Sequence, residues 1–231
     1  MSVSFSEQVS TAGSSTLTTK GQILSHDGTS AIGVSVGTNG QIVSAQSSAT
    51  SGLSYITINA STAMYALISS TSLSASATSI TFSSIPSTYR HLELVFFGAF
   101  SGAGDEQLGI QVNGNTSTAV YRTKQLYSSG DNSQSGNSYA HIGRVSSPSS
   151  TTGIYLNVAT PASVIFFNYN DTTYHKIALA NSMYLRSDLY PQQVSTGIQY
   201  NSTSAITSVT ILPRTNGFST NSYAALYGIK S

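Results

Sequence analysis

Short runs in which apolar and polar residues alternate recur along most of this chain. Leu92, Leu94 and Phe96 form the clearest run, and the segment 108–112 repeats the pattern. A period of two places every second side chain on one face of a β-strand. Charged residues make up only 7% of the 231 residues, so exposed helices would lack the Glu, Lys and Arg that favour them. We therefore expect an all-β fold.

The composition restricts the possible partners and compartments. A net charge of +1, with 14 Tyr and 8 Phe, is unlike the composition of disordered chains. The nine basic residues are scattered between Lys20 and Lys230, so we expect no nucleic-acid partner. The sequence contains no cysteine and no apolar run that approaches the ~18 residues of a membrane span. We expect no membrane insertion, and the first residues show no secretory signal.

Turn signals divide the chain into three expected segments. Residues 1–18 are rich in Ser and Thr and are expected to form an extended or flexible arm. Residues 19–62 are expected to form a hairpin-rich connector, with turns at Asp27-Gly28 and Asn39-Gly40. The second turn is expected to join a strand ending at Val36 to a return strand that starts at Gln41. An isolated unit of this size would be marginally stable, so contacts with neighbouring copies are expected to support it.

Residues 63–231 are expected to form an antiparallel β-sandwich that resembles a jelly roll. The segment 118–126 is expected to pair with 108–112, and residues 128–138 are expected to form a long loop. The remaining strands are predicted at 66–73, 79–82, 91–97, 139–145, 154–158, 164–169, 174–184, 197–200, 206–212 and 223–229.

Two stretches of the connector resemble a module of bacteriophage tail-fibre and other virion surface proteins. They read KGQILSHDGT at 20–29 and VGTNGQIV at 36–43. The module has the pattern K-G-D-L-L-x-x-D-G-T, then V-G-T-N-G-Q-V-L and finally G-L-K-W. Gln22 stands where the module has an acid, and Tyr55 where it has Trp. Both departures leave the turn residues intact.

Segments 83–92 and 223–230 are also similar to the start and the end of the β domain that often follows this module. The resemblance implies homotrimeric or higher assembly, no catalysis and, in some members, contact with a host receptor. We therefore expect a structural protein of a bacteriophage virion, assembled in the bacterial cytoplasm. A homotrimeric tail-fibre, spike or baseplate component is the first interpretation, and a capsid decoration (cement) protein that stabilises the head is the alternative. A carbohydrate-binding or polysaccharide-degrading module is a third interpretation.

The expected partners are other copies of the chain, other virion structural proteins and, at the host surface, a glycan. Gly33-Val34-Ser35-Val36-Gly37 matches the pattern of a nucleophile elbow, which requires a helix directly after the serine. A turn and a second strand are expected there instead, so we interpret the match as coincidental.

The histidines and the carboxylates are the residue types that could support metal binding or glycoside hydrolysis. The histidines His26, His91, His141 and His175 do not occur at metal-ligand spacing and are expected at the surface or at strand edges. Glu93 with Asp105 or Glu106 could form the carboxylate pair of a glycosidase, but we expect solvated residues that cap a Gly-rich loop. We expect no catalytic residue, no metal site and no cofactor.

Tyrosines near predicted loops and strand ends are the remaining candidates for function. Tyrosine provides a large contact area at a low cost in side-chain entropy, which suits subunit interfaces and sugar stacking. Filling of the core is an equally good interpretation, and the sequence leaves both open. The tyrosines concerned are Tyr121, Tyr127, Tyr139, Tyr169, Tyr174, Tyr184 and Tyr190.

Overall fold

A computed structural model describes residues 17–57, 64–102, 105–127, 130–146, 159–185 and 191–230. The chain divides into two compact units, Met1–Thr62 and Ala63–Ser231. Sixteen β-strands and no helix occur in the described residues, and all strand pairs are antiparallel. No helix able to span a membrane is found within these ranges. The predicted all-β class is confirmed, whereas the arm predicted at 1–18 lies almost entirely outside the described residues.

The first unit contains two separate hairpins. Strands β1 (Ile23–His26) and β2 (Ala31–Val34) form one, and β3 (Gln41–Ala45) and β4 (Leu53–Thr57) form the other. Asp27 closes the first hairpin, because its Oδ1 accepts hydrogen bonds of 2.7 Å from the backbone N–H groups of the two residues before β2. These backbone hydrogen bonds stabilise the carboxylate and hold the pKa of Asp27 below its usual value.

The predicted hairpin at Asn39-Gly40 is wrong. β2 pairs with β1 and β3 pairs with β4, so the Asn-Gly turn connects two hairpins rather than two paired strands. Local packing explains the difference. A Cβ on Gly37 would lie 2.5 Å from the ring of Tyr55, and the Gln41 side chain accepts a hydrogen bond of 2.8 Å from the Thr38 N–H. These contacts hold residues 35–38 in an irregular conformation that a ladder could not include.

Gln22 supports a turn at the start of the connector. Its Oε1 accepts hydrogen bonds of 2.6 Å and 3.0 Å from the backbone N–H groups of Thr18 and Thr19. An amide oxygen therefore makes bonds that a carboxylate at this position could also make.

The second unit consists of two antiparallel sheets. Its strands are β5 (Tyr65–Ser72), β6 (Ile80–Phe82), β7 (His91–Gly98), β8 (Asp105–Val112), β9 (Tyr121–Tyr127), β10 (Gly130–Ser135), β11 (Ala140–Ser146), β12 (Thr160–Phe167), β13 (Lys176–Leu185), β14 (Pro191–Tyr200), β15 (Val209–Pro213) and β16 (Tyr223–Ile229). The larger sheet has eight strands in the order β10-β9-β14-β13-β12-β7-β16-β5. The smaller has four, in the order β11-β8-β15-β6. The architecture is β-sandwich-like, but the jelly-roll part of the prediction is not confirmed.

Inward-facing residues of both sheets form one hydrophobic core. The two sheets approach closely at β11, where the Ser182 hydroxyl donates a hydrogen bond of 2.9 Å to the Ile142 carbonyl. Gly143 permits this approach, because a Cβ there would lie 2.0 Å from the Ser182 oxygen. The core includes Leu92, Leu94, Phe96, Leu108, Ile110, Ile142, Val164, Phe166, Ile211, Phe218 and Leu226.

Two details of the predicted sandwich are wrong. Residues 128–138 are not one long loop, because β10 lies within them and pairs with β9. β9 does not pair with β8, which belongs to the four-stranded sheet. Its second neighbour is β14, and both lie in the eight-stranded sheet. The chain crosses from one sheet to the other between β8 and β9, and Asn113 stabilises this connection. Its side-chain oxygen accepts hydrogen bonds from the backbone N–H groups of Thr207 and Ser208, which attach the connection to the segment before β15. The strand predicted at 154–158 lies outside the described residues.

A buried lysine holds one end of the large sheet together. Lys176 is 2% exposed, and its ammonium donates hydrogen bonds to the carbonyls of Asp171, Tyr174 and Thr203. The first two carbonyls belong to the β12–β13 turn, and the third follows β14. Desolvation of the charge lowers the pKa of Lys176, and the nearby Asp171 carboxylate partly offsets this effect. The side chain therefore joins two loops that the sheet alone does not connect.

Replacing this lysine is expected to destabilise the fold. Lys176→Met keeps the apolar stem but leaves three carbonyls without their charged donor, so we expect the free energy of unfolding to fall by about 3 kcal/mol. Urea denaturation followed by circular dichroism would measure the loss. Lys20→Met, at an exposed position, is the control and should change stability by less than about 0.5 kcal/mol. Equal stability of the two variants would contradict the assigned role of Lys176.

Candidate functional site

The outward-facing side of the eight-stranded sheet, here called the outer face, is rich in exposed apolar side chains. Strand β13 shows why: its inward positions include Ala178 and Ala180, whereas Ile177 and Leu179 point outward. The larger aliphatic residues of this strand thus lie on the solvent side. Soluble monomers rarely expose contiguous apolar patches of several hundred Å² unless the patch has a binding role. The most exposed apolar residues of the face, each 45–57% exposed, are Tyr65, Leu67, Phe97, Leu126, Ile177, Leu179 and Met183.

Opposite charges lie toward the two sides of this apolar area. Glu93 projects from β7, where its Oε2 accepts a hydrogen bond of 2.6 Å from the Tyr65 hydroxyl. Arg122 and Lys124 project from β9. Strands β12, β13 and β14 lie between them, so the acidic and basic side chains are separated by four strand spacings, about 19 Å. Between Glu93 on one side and the two basic residues on the other, the outer face carries apolar side chains such as Leu179 together with a polar row of Ser163, Asn181 and Ser195.

The strand register aligns five residues of the outer face in one row. Glu93 is opposite Ile165, Ile165 is opposite Leu179, Leu179 is opposite Gly197, and Gly197 is opposite Lys124. A Cβ on Gly197 would meet no atom within 4 Å, so this position is open to solvent. It forms part of a shallow hollow of about 480 Å³, whose lining also includes Leu179 and Lys124. The row thus has a projecting aliphatic side chain on one side of Leu179 and a gap on the other.

The region around Ser35 does not have the geometry of a nucleophile elbow. Ser35 follows β2, and the next element in the described chain is the turn at Asn39-Gly40, followed by β3. A strand–turn–strand arrangement does not provide the helix that the elbow requires.

The carboxylates considered for glycoside hydrolysis do not form a described pair. Glu93 lies on the eight-stranded sheet, whereas Glu106 lies on β8 of the four-stranded sheet. Glu106 accepts hydrogen bonds from the Thr215 hydroxyl and from the Gln107 N–H. The two carboxylates thus lie on different sheets and have different hydrogen-bond partners. Only the backbone of Asp105 is described.

The four histidines do not share an environment. The Nδ1 atoms of His26 and His91 accept hydrogen bonds of 3.0 Å from the backbone N–H groups of Gly28 and Asn168, and His175 is exposed. His141 is only 3% exposed and is therefore not a surface residue, but it lies on the edge strand β11, the second of the two expected positions. No group of three residues able to hold a metal ion occurs in the described ranges.

His141 is buried beneath an aromatic ring. The ring of Tyr139 stacks on it with a centroid distance of 4.9 Å and an interplanar angle of 5°. Its Nε2 is buried without a hydrogen-bond partner. Desolvation, helped by the positive charges of Arg214 and Arg144, lowers the pKa of His141 to about 4. The imidazole is therefore neutral at pH 7, and its burial opposes protonation.

The tyrosines divide between the core and the surface. Tyr121, Tyr169 and Tyr184 are at most 6% exposed, which supports the core-filling interpretation for these three. Tyr121 stacks on Tyr200 at 5.3 Å, its hydroxyl donates to the Asn115 carbonyl, and burial raises its pKa to about 12. These side chains fill the core and fasten loops.

The other tyrosines are more accessible or fall outside the description. Tyr127 and Tyr139 are half-buried, Tyr174 is 73% exposed, and Tyr190 lies outside the described residues. The aliphatic side chains of the outer face were missed as functional candidates. The segment 176–185 carried the signal, because alanines alternate there with larger apolar residues.

The sequence and the fold were compared with known proteins. No family model matches the chain, and neither a curated protein nor a solved structure shows significant similarity to it. The resemblance to virion proteins at 20–29 and 36–43 therefore stays a prediction.

Protonation of His141 is expected to couple stability to pH. An unfolded histidine titrates near 6.5, whereas the pKa of folded His141 is about 4. Between these values the unfolded state binds a proton that the folded state excludes. The free energy of unfolding should therefore fall by up to about 3 kcal/mol as the pH drops from 6.5 to 4.

The measurement compares urea denaturation of wild type and His141→Gln at several pH values. The variant should lose most of the pH dependence between 6.5 and 4, whereas the control His91→Gln should retain it. An unchanged slope in His141→Gln would show that other groups cause the acid sensitivity.

Proposed function

We propose that this chain is a structural, non-enzymatic protein of a bacteriophage virion that works as a homo-oligomer. The exposed apolar outer face is the observation that carries the proposal, since a face of this kind is typical of proteins that are covered in an assembly. The tail-fibre-like patterns at 20–29 and 36–43 support a virion as the assembly. Within it, a tail fibre, spike or baseplate component is our first assignment, and the expected external contact is a host surface glycan.

The connector supports assembly on separate grounds. Each of its hairpins has only two strands, and a two-stranded hairpin is marginally stable alone. Aliphatic side chains are nevertheless exposed on the hairpins and in the segment between them: Leu24, Val36, Ile42 and Ile56 are 45–60% exposed. Contacts between copies would cover these side chains and pair the free strand edges. We propose that three copies do so, which makes the connector the trimeric part of the protein.

A jelly-roll winding is proposed for the second unit. From β6 to β9, successive strands alternate between the smaller and the larger sheet. The order β11-β8-β15-β6 places strands side by side that are distant in sequence, as double Greek-key connections require. The meander β12-β13-β14 and the pair β16-β5 would then be additions that enlarge one sheet.

The location on the particle is the direct test of the proposed function. Purified particles of the virus that encodes the chain should contain it, and labelled full-length protein should be seen by electron microscopy at the tail or baseplate. A label on the head would instead support the decoration protein. Absence from purified particles would overturn the proposal.

Removal of residues 1–60 tests the role of the connector. The remaining chain has its own hydrophobic core, so we expect the circular dichroism spectrum of a β protein and a cooperative unfolding transition. Incorporation into particles should fall at least tenfold, as measured by quantitative mass spectrometry of purified virions. The control is the full-length chain expressed at the same level. Normal incorporation of the truncated chain would show that the connector is not the attachment element.

A further inference from the structure

We infer that two copies of this chain pair through their outer faces, face to face, about a two-fold axis that runs parallel to β13. The inference extends the proposed homo-oligomer by naming a second contact. It rests on the proposed function only for the particle in which the pair would be used.

The row from Glu93 to Lys124 is self-complementary under this symmetry. A two-fold axis along β13 exchanges β7 with β9 and β12 with β14 between the copies, because these strands lie at equal distances on either side of β13. Leu179 then faces Leu179 of the second copy. Glu93 faces Lys124 of the second copy, and the reciprocal contact repeats on the other side.

The shapes along this row also match. Ile165 faces Gly197 of the second copy, where the missing side chain leaves the open hollow next to Leu179. A projecting branched side chain thus meets a gap, and the symmetry produces the contact twice. Interdigitation of this kind is how the inner faces of stacked sheets pack.

The neighbouring row obeys the same rule. Val95, Ser163, Asn181, Ser195 and Leu126 are successive register partners across the same five strands. The axis sets Val95 against Leu126 and Ser163 against Ser195, so apolar residues meet apolar residues and small hydroxyls meet small hydroxyls. Asn181 faces its own counterpart, where two amides can exchange hydrogen bonds.

Charge selects this axis over the other simple one. A two-fold axis perpendicular to the strands would set Glu93 against Glu93 and Lys124 against Lys124, and facing like charges are unfavourable. Stacked sheets cross at about 30°, so the axis would be tilted by about 15° from β13, and groups about 10 Å from the crossing point would be displaced by about 5 Å. The long side chains of Glu93, Lys124 and Arg122 can span that displacement.

The face has the area that a stable pair needs. Seven strands, from β10 to β16, overlap about this axis; their six spacings make a width of about 29 Å, and strands of about eight residues give a paired face of about 750 Å². Each partner of a standard protein–protein interface buries about 800 Å².

Filling the hollow separates pairing from folding. The backbone of Gly197 does not need positive φ, and an added Cβ meets no atom within 4 Å and points into the open hollow, so Gly197→Ile should fold normally. The isoleucine should exclude Ile165 of the second copy and weaken association at least tenfold. The molar mass of the full-length chain in sedimentation equilibrium should then fall by at least half, whatever assembly the connector adds. Unchanged association would overturn the inference.

Cross-linking tests the position of the axis. The chain contains no cysteine, so Leu179→Cys introduces a single thiol. Stacked sheets lie about 10 Å apart, too far for a disulfide, so a short bismaleimide linker is used. We expect a two-chain product from Leu179→Cys and none from Thr81→Cys, an exposed control position on the smaller sheet. Equal yields from the two variants would overturn the inference.

Charge reversal tests the orientation of the pair. Glu93→Lys and Lys124→Glu should each weaken association at least tenfold, and the double variant should restore most of it. Circular dichroism of each variant confirms that it is folded. A double variant as weak as the single ones would overturn the assigned contact. If these three tests fail, the proposed location on the virion is not affected. If the chain is absent from particles, a pair demonstrated in solution still stands.

Discussion

The hydrogen-bonded ladder of the eight-stranded sheet fixes which side chains of this protein can act together. Because neighbouring strands are held in register, residues as distant in sequence as Glu93, Leu179 and Lys124 lie in one straight row. A change of register by one residue would move a strand's side chains to the opposite face. The proposed interaction surface is therefore a property of strand pairing, and no single loop creates it.

Polar groups inside the second unit contribute specificity rather than chemistry. Lys176 and the Asn113 side chain bind backbone groups of segments distant in the chain, and each holds a crossing or a turn in one position. Such groups are costly to bury unless their hydrogen bonds are made, so alternative connections of the same strands are disfavoured. His141 differs, because its Nε2 lacks a partner and its burial is supported by the stacked Tyr139 ring.

Local patterns predicted the strands well but not their partners. The strand predicted at 223–229 coincides with β16, because alternation and flanking turn residues are local signals. The predicted partners of β3 and β9 were wrong, because each strand was expected to pair with the strand before it. Each pairs instead with the strand after it, and β9 also pairs with β14. The contacts that redirect these strands, Tyr55 over Gly37 and Asn113 against Thr207, join residues that no local pattern connects.

The candidate site was only partly predictable for a related reason. Tyrosines were predicted as candidates because they are amphipathic, but burial depends on which face of a strand is turned to the core. Tyr121 and Leu179 both lie in alternating segments, yet Tyr121 is buried and Leu179 is exposed. In a chain with 7% charged residues, the few charges on an apolar face have a large influence on orientation. Apolar contact supplies most of the free energy of such an interface, and complementary charges select the register. One acidic and one basic side of the outer face are sufficient to favour one two-fold arrangement over the other.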